Sequence, residues 1–289
     1  MELELLDKIL PSFKQNSSVL TGPGDDCAVV KCGETKLLLA ADQVTEGIHF
    51  TAETAPERAG AKLVKRNLSD IAAMGGTALW LLLTISSKER SAEWLERFVS
   101  GVEKEAEKYG APVVGGDTAS LAEDGFTASV TVVGTADVPV LRSGAKIGDA
   151  VYVTGLIGNS FYSEHHLDFE PHLAQGRLLS EYANSMMDIS DGLLIDAGRL
   201  AAASKVNIYI DAEKVPLRDG AKLMQALSDG EDYCLLFTCS NDIDIEQLFK
   251  KNNFSFLPVK IGYVADGSGE VKTLLDGKEI NMEHYGYEH

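Results

Sequence analysis

The 289-residue chain carries 26 Lys and Arg against 44 Asp and Glu, a net charge of −18. That acidity argues against a nucleic-acid or anionic-membrane partner, because both need a basic face. With 45% hydrophobic and 24% charged residues, the composition is that of an ordinary globular protein, long enough for about two domains.

In chain order, Met1 to Leu10 has acids where a signal peptide has bases. The most apolar stretch, Ala78 to Ile85, falls far short of the roughly 20 residues of a membrane span, so a cytoplasmic protein is expected. Lys36 to Ala41 reads as a short apolar strand ending at Asp42. Pro56 to Met74 reads as a helix: Pro56 suits the first turn, Leu63, Ile71 and Met74 share an apolar face, and Gly75-Gly76 stops it. Trp80 to Ile85 follows as a strand. Ser91 caps a helix running to Tyr109, with Trp94, Phe98, Val102 and Ala106 on one stripe. Phe126, Ala128, Val130 and Val132 alternate with Thr127, Ser129 and Thr131, the pattern of a half-buried strand.

The polar, turn-rich run Arg142 to Asp149 marks a boundary between residues 1–139 and 140–289. Beyond it, Ala150–Thr154, Val206–Ile210 and Tyr233–Thr238 read as strands, and Leu193–Ala203 and Ile243–Lys251 as helices. Both halves are therefore α/β in the mixed α+β sense, without the regular alternation of a long doubly wound sheet.

The acids fall at informative places. Asp25 and Asp26 follow Gly24, Asp42 ends a strand, Asp70 sits in a helix beside Asn67 and Ser69, Asp117 follows Gly115-Gly116, and Asp188 and Asp191 bracket Ile189-Ser190 before Gly192. Carboxylates converging on one cleft repel unless cations lie between them, and hard oxygen donors without a His cluster suit Mg²⁺. Mg²⁺ bound this way implies a phosphorylated ligand; the alternative is that these turn residues never meet. The P-loop pattern, a complete dinucleotide fingerprint and G-x-S-x-G are all absent. Cys27/Cys32 and Cys234/Cys239 are spaced too widely for a zinc knuckle and read as small hydrophobes. His165-His166, beside Glu164 and Asp168, reads as a solvated loop.

The motifs, taken in order, resemble the thiamine-monophosphate kinases of the aminoimidazole-ribonucleotide-synthetase superfamily. They run Gly24-Asp25-Asp26-Cys27-Ala28-Val29, Asp42 through Glu46-Gly47-Ile48-His49-Phe50, Asn67-Leu68-Ser69-Asp70 through Gly75, and Gly115-Gly116-Asp117-Thr118. Arg142-Ser143-Gly144, Asp188-Ile189-Ser190-Asp191-Gly192, Gly230-Glu231-Asp232-Tyr233 and Gly286-Tyr287-Glu288-His289 complete the series. The resemblance implies a two-domain superfamily fold, a homodimer, and transfer of the γ-phosphoryl of ATP onto thiamine monophosphate. It further implies Asp26, Asp42, Asp70, Asp117, Asp188 and Asp191 as Mg²⁺ ligands, and Gly116, Asp117, Arg142 and Ser190 as ATP contacts. His49, Glu231 and Tyr287 are implied for the thiamine phosphate pocket, Tyr287 as its aromatic contact.

Three departures stand out. Ala40 and Ala41 replace the family's usual hydroxyl residues before Asp42, Asp229 replaces a glycine, and Gly158 to Pro171 is shorter than the family's segment and lacks its small-residue run. They keep two alternatives open: another ATP-dependent enzyme of the superfamily, or a catalytically silent ATP- and Mg²⁺-binding protein.

Overall fold

Pro56, with its fixed φ, opens helix α1, which runs Pro56–Ala73 in the computed structural model; the structure describes Leu5 and residues 8–88 and 90–280. Helix α1 is buried on nearly every side: Leu63, Leu68 and Ile71 are inside, and so are Lys62, Asn67 and Ser69. Polar groups buried in this way need partners, and α1 is where the chemistry concentrates. Ser91 caps helix α2 (Ala92–Lys108), its side chain accepting from Trp94 N at 3.1 Å. Phe98, Val102 and Ala106 form the buried stripe of α2, against α1.

Six strands form the first sheet: β1 (Val19–Thr21), β2 (Ala28–Cys32), β3 (Thr35–Thr45), β4 (Thr77–Lys88), β5 (Val113–Ser120) and β6 (Gly125–Thr135). Their order is β1-β2-β3-β6-β4-β5, antiparallel except for β4 with β5. The alternation read from residues 126–132 is present along β6. Leu38, Val44, Leu81 and Val130 face the core. The opposite face leaves Trp80 and Leu82 46% and 41% exposed. The strand expected to stop at Asp42 continues to Thr45, because its β6 partners persist as far as Thr127.

The second sheet contains β7 (Ala150–Val153), β8 (Ser185–Asp188), β9 (Asn207–Asp211), β10 (Leu235–Cys239), β11 (Val259–Ala265), β12 (Val271–Leu275) and β13 (Lys278–Ile280). Its order is β13-β12-β9-β11-β7-β10-β8, with β9 and β12 parallel. Helices α3 (His165–Asp168), α4 (Leu173–Leu179), α5 (Leu193–Ser204), α6 (Leu223–Ser228) and α7 (Ile245–Lys251) accompany it. Strand β10 begins at Leu235 rather than Tyr233, because Tyr233 has φ +51°, a left-handed backbone that cannot extend a strand.

Helix α1 packs on β3 and β6 and also on α3, α4 and β8. One apolar cluster accordingly runs from Leu38, Leu63 and Val130 through Leu173, Met186 and Phe237. A second, with Val151, Leu200, Ile208 and Ile261, lies within the later part of the chain. The mixed α/β class read from the sequence holds. All four cysteines are free, and Cys27, Cys234 and Cys239 are buried. No helix among the described residues is long and apolar enough to cross a membrane.

Candidate active site

The C-terminal part of α1, the turn before β2 and the end of β8 bring three acids together. Asp26, Asp70 and Asp188 each offer a carboxylate oxygen, all within 4.8 Å of one another. Ser69 donates to Asp188 Oδ2 at 2.5 Å, and Arg142 pairs with Asp26 at 2.7 Å. One guanidinium cannot offset three carboxylates. Burial, followed by repulsion from Asp42, Asp188 and Asp26, holds the Asp70 carboxyl well above the usual range. Burial and Asp26 do the same to Asp188. Asp25, whose carboxylate accepts from Arg142 N at 3.2 Å, is pushed up to about 6 by burial and by Asp26. The donors of Asp26, Asp70 and Asp188 are all hard carboxylate oxygens, so the residues present fit Mg²⁺.

Beside this cluster lies a cavity of about 380 Å³, lined by His49, Arg66, Phe161, Tyr162, Ser190, Asp191 and Glu231 among others. Arg66 and Asp70, four apart on α1, share one helix face and so join the cavity to the acids. Arg66 Nε lies 3.3 Å from Asp42 Oδ2, an ion pair without hydrogen-bond alignment, and Nη1 donates to Gln43 O at 2.7 Å. Burial would raise Glu231, but contacts from His166 and the Lys62 ammonium hold it down at about 2. His49 is buried, its Nδ1 accepting from Thr45 N at 2.9 Å.

The loop bearing Ser190 and Asp191 is held from below. Asp196, wholly buried in α5, accepts from the backbone N–H groups of Ser190, Asp191 and Gly192 at 3.0, 3.0 and 3.2 Å. Arg199 bridges Asp191 and Asp196 at 2.6 and 2.8 Å. A Cβ on Gly192 would sit 2.6 Å from Ser228 O, and one on Gly230 2.5 Å from Ser190 O. Glycine at both positions lets the 190–192 and 228–230 segments close over the cavity wall.

The sequence-derived residues therefore sort by place. Asp26, Asp70 and Asp188 meet; Asp42 and Arg142 adjoin them; Ser190, Asp191, His49 and Glu231 line or border the cavity. Asp117 is elsewhere, and it lies within β5 rather than in a turn. Cross-strand neighbours share a sheet face, and the ladder runs Gln43, Ser129, Thr84, Asp117. Asp117 is thus on the face opposite Asp42 and three strands from Gln43, about 14 Å at the usual strand spacing. With Gly116 it leads into Thr118–Ser120, which line a separate cavity of about 580 Å³ with Arg90, Glu96 and Ser100. Tyr287 lies outside the described residues.

His166 corrects the sequence reading. It is buried, not solvated, because Lys62 reaches its Nδ1 at 2.8 Å and Phe161 stacks on its ring at 4.5 Å. Sequence reasoning also missed Lys62, Arg66, Phe161, Tyr162 and Asp196. Lys62 and Arg66 carried a usable signal, being spaced four apart with Arg58 and Asp70 along one stripe of α1; the aromatic pair carried none.

The chain is similar to known proteins along its whole length. The AIR synthase related protein N-terminal domain family matches residues 24–136, and the corresponding C-terminal domain family matches residues 132–271. Thiamine-monophosphate kinase of Aquifex aeolicus is 36% identical over 92% of both chains. That of Buchnera aphidicola is 31% identical over 100% of this chain and 98% of its own. The solved structure of AaThiL complexed with AMPPCP and TMP has a TM-score of 0.84 at 32% identity, covering 100% of this chain and 96% of that one. With two family matches in tandem and full-length kinase relatives, the chain belongs to the thiamine-monophosphate kinase family of AIR synthase related proteins.

Proposed function

We propose that this chain is a cytoplasmic Mg²⁺-dependent kinase that moves the γ-phosphoryl of ATP directly onto thiamine monophosphate, giving thiamine diphosphate and ADP. The observation that carries the reading is the juxtaposition of the three-carboxylate cluster with a cavity walled by both a cation, Arg66, and an anion, Glu231. The relative solved with AMPPCP, an ATP analogue, and TMP supports the pair of substrates.

Asp26, Asp70 and Asp188, flanked by Asp42 and Asp191, would hold the metal. Bound there, Mg²⁺ supplies charge neutralisation and Lewis acidity to the phosphates. The chain's own groups position the substrates. The acceptor phosphate, with a second pKa of about 6, is already ionised at neutral pH, so no general base is required. Arg142 and Arg66 give fixed positive charge for the phosphates, and Ser190 presents its hydroxyl beside them. Glu231 would accept from the amine of thiamine, and Phe161 and Tyr162, which line the same cavity, would offer π faces to its thiazolium cation. Tyr287 would add an aromatic contact, whereas Asp117, on the other face of the first sheet, and Gly116 beside it stand apart from this metal cluster.

A division at residues 139/140 accompanies this reading, supported by the placement of all described strands of the two sheets on either side of it. So does a homodimer, supported by the apolar outer face of the first sheet at Trp80 and Leu82.

Incubation with ATP, Mg²⁺ and thiamine monophosphate is expected to yield thiamine diphosphate and ADP, read by chromatography. ATP binding without product at high enzyme concentration would favour the silent binder, and turnover of a different acceptor would favour another superfamily activity. ATP is also expected to raise the thermal midpoint by several degrees in Mg²⁺ and to lose that effect in EDTA. An ATP shift indifferent to EDTA would remove the metal from the site.

A further inference from the structure

Lys62 is wholly buried, yet the phosphoryl transfer described above makes no use of it. Its Nζ reaches His49 O at 2.6 Å, His166 Nδ1 at 2.8 Å, and Glu231 Oε1 and Oε2 at 2.9 and 2.8 Å. A buried ammonium is costly unless fully partnered, and an apolar side chain would pack the same helix position without that penalty. The partners are what distinguish this lysine. Glu231 stands on the cavity wall with φ +64°, a backbone angle that a non-glycine residue keeps only when its surroundings enforce it. His49 lies on the same wall, and His166 carries Phe161 stacked upon it. A single ammonium thus ties together three chain segments that wall the cavity.

We propose that Lys62 is the positioning residue for thiamine monophosphate: from beneath the cavity it holds Glu231 as an ionised acceptor for the amine of the substrate. The inference rests on the kinase reading above and assigns how that reading's substrate is recognised. Lys62 acts through Glu231, so removing it matters only while Glu231 is present as a carboxylate.

The test is a double-mutant cycle with steady-state kinetics for both substrates and thermal midpoints for each protein. Lys62→Met is expected to raise the KM for thiamine monophosphate about 30-fold while the KM for ATP stays within about twofold, the loss of one charge-assisted hydrogen bond confined to one substrate. Glu231→Gln should show a similar rise, and Lys62→Met/Glu231→Gln no further one. If Lys62→Met alone fails to fold because Glu231 is left buried without its cation, Glu231→Gln against the double variant still decides, since the two should share one KM. A second rise of similar size in the double variant, parallel rises for ATP, or an unchanged KM in Lys62→Met would overturn the proposal. Wild-type enzyme inactive on thiamine monophosphate would overturn the kinase reading; active wild type with an unaffected Lys62→Met would overturn this inference alone.

Discussion

Replacing Asp70 by asparagine is expected to abolish turnover, by at least about 10³-fold in kcat, because a metal ligand placed among phosphates contributes several kcal/mol of charge stabilisation. The fold should survive. Asparagine has nearly the same volume, and in metal-free protein the change relieves repulsion from Asp42, Asp188 and Asp26. A carboxyl whose folded pKa lies above its unfolded value binds more protons in the folded state between the two. Stability of the metal-free wild type therefore falls as pH rises from about 4 through the raised values of Asp70 and Asp188. Thermal midpoints in EDTA should accordingly drop with rising pH in the wild type and less steeply in Asp70→Asn. Mg²⁺ should raise the wild-type midpoint at neutral pH and leave the variant nearly unmoved. Near-normal turnover in the variant would take Asp70 out of the metal set.

Gly101→Ala is expected to cost about 2 kcal/mol and lower the thermal midpoint by roughly 4 to 8 °C, despite alanine's better helix propensity. A Cβ at Gly101 would lie 2.1 Å from Glu57 O, and one at Gly60 would lie 2.2 Å from Phe98 O. Helices α1 and α2 thus meet backbone to backbone at two points, and an added methyl must push them apart. Because α1 carries Lys62, Arg66 and Asp70, turnover should fall as well. Gly198→Ala in α5 is the control: its Cβ would meet nothing closer than Val271 Cγ1 at 3.7 Å. There the helix-propensity gain of up to about 1 kcal/mol should raise the midpoint. Equal behaviour of the two variants would refute the close-contact account.

Local physics explains what was legible beforehand. Pro56, Ser91 and the alternation through residues 126–132 each specify a helix start or a strand face from residues a few positions apart, and all three elements appear where expected. Element ends were less legible: β3 passes Asp42 because its partner strand continues, which is a non-local fact. The same limit applies to the site. Asp26, Asp70 and Asp188 carry motif signals singly, but their meeting depends on α1 lying between both sheets. His166 shows the reverse error. Its polar neighbours suggested solvent, but Lys62, arriving from 104 positions away, and the stacked Phe161 ring bury it.

By itself, then, the sequence determined an acidic mixed α/β chain, its principal helices and strands, and a set of aspartates suited to Mg²⁺. Those properties follow from periodicity, capping and donor chemistry, which act over short chain distances. Only the tertiary structure decided which aspartates converge, that Asp117 stands on the far face of the first sheet, and that Lys62, Arg66 and the Phe161–Tyr162 pair surround the cavity. Convergence of this kind is set by contacts between residues 116 to 169 positions apart, and no local pattern in the chain encodes them. The charge of −18 therefore divides by place: a buried knot of carboxylates that calls for cations, and a solvated surface that needs none.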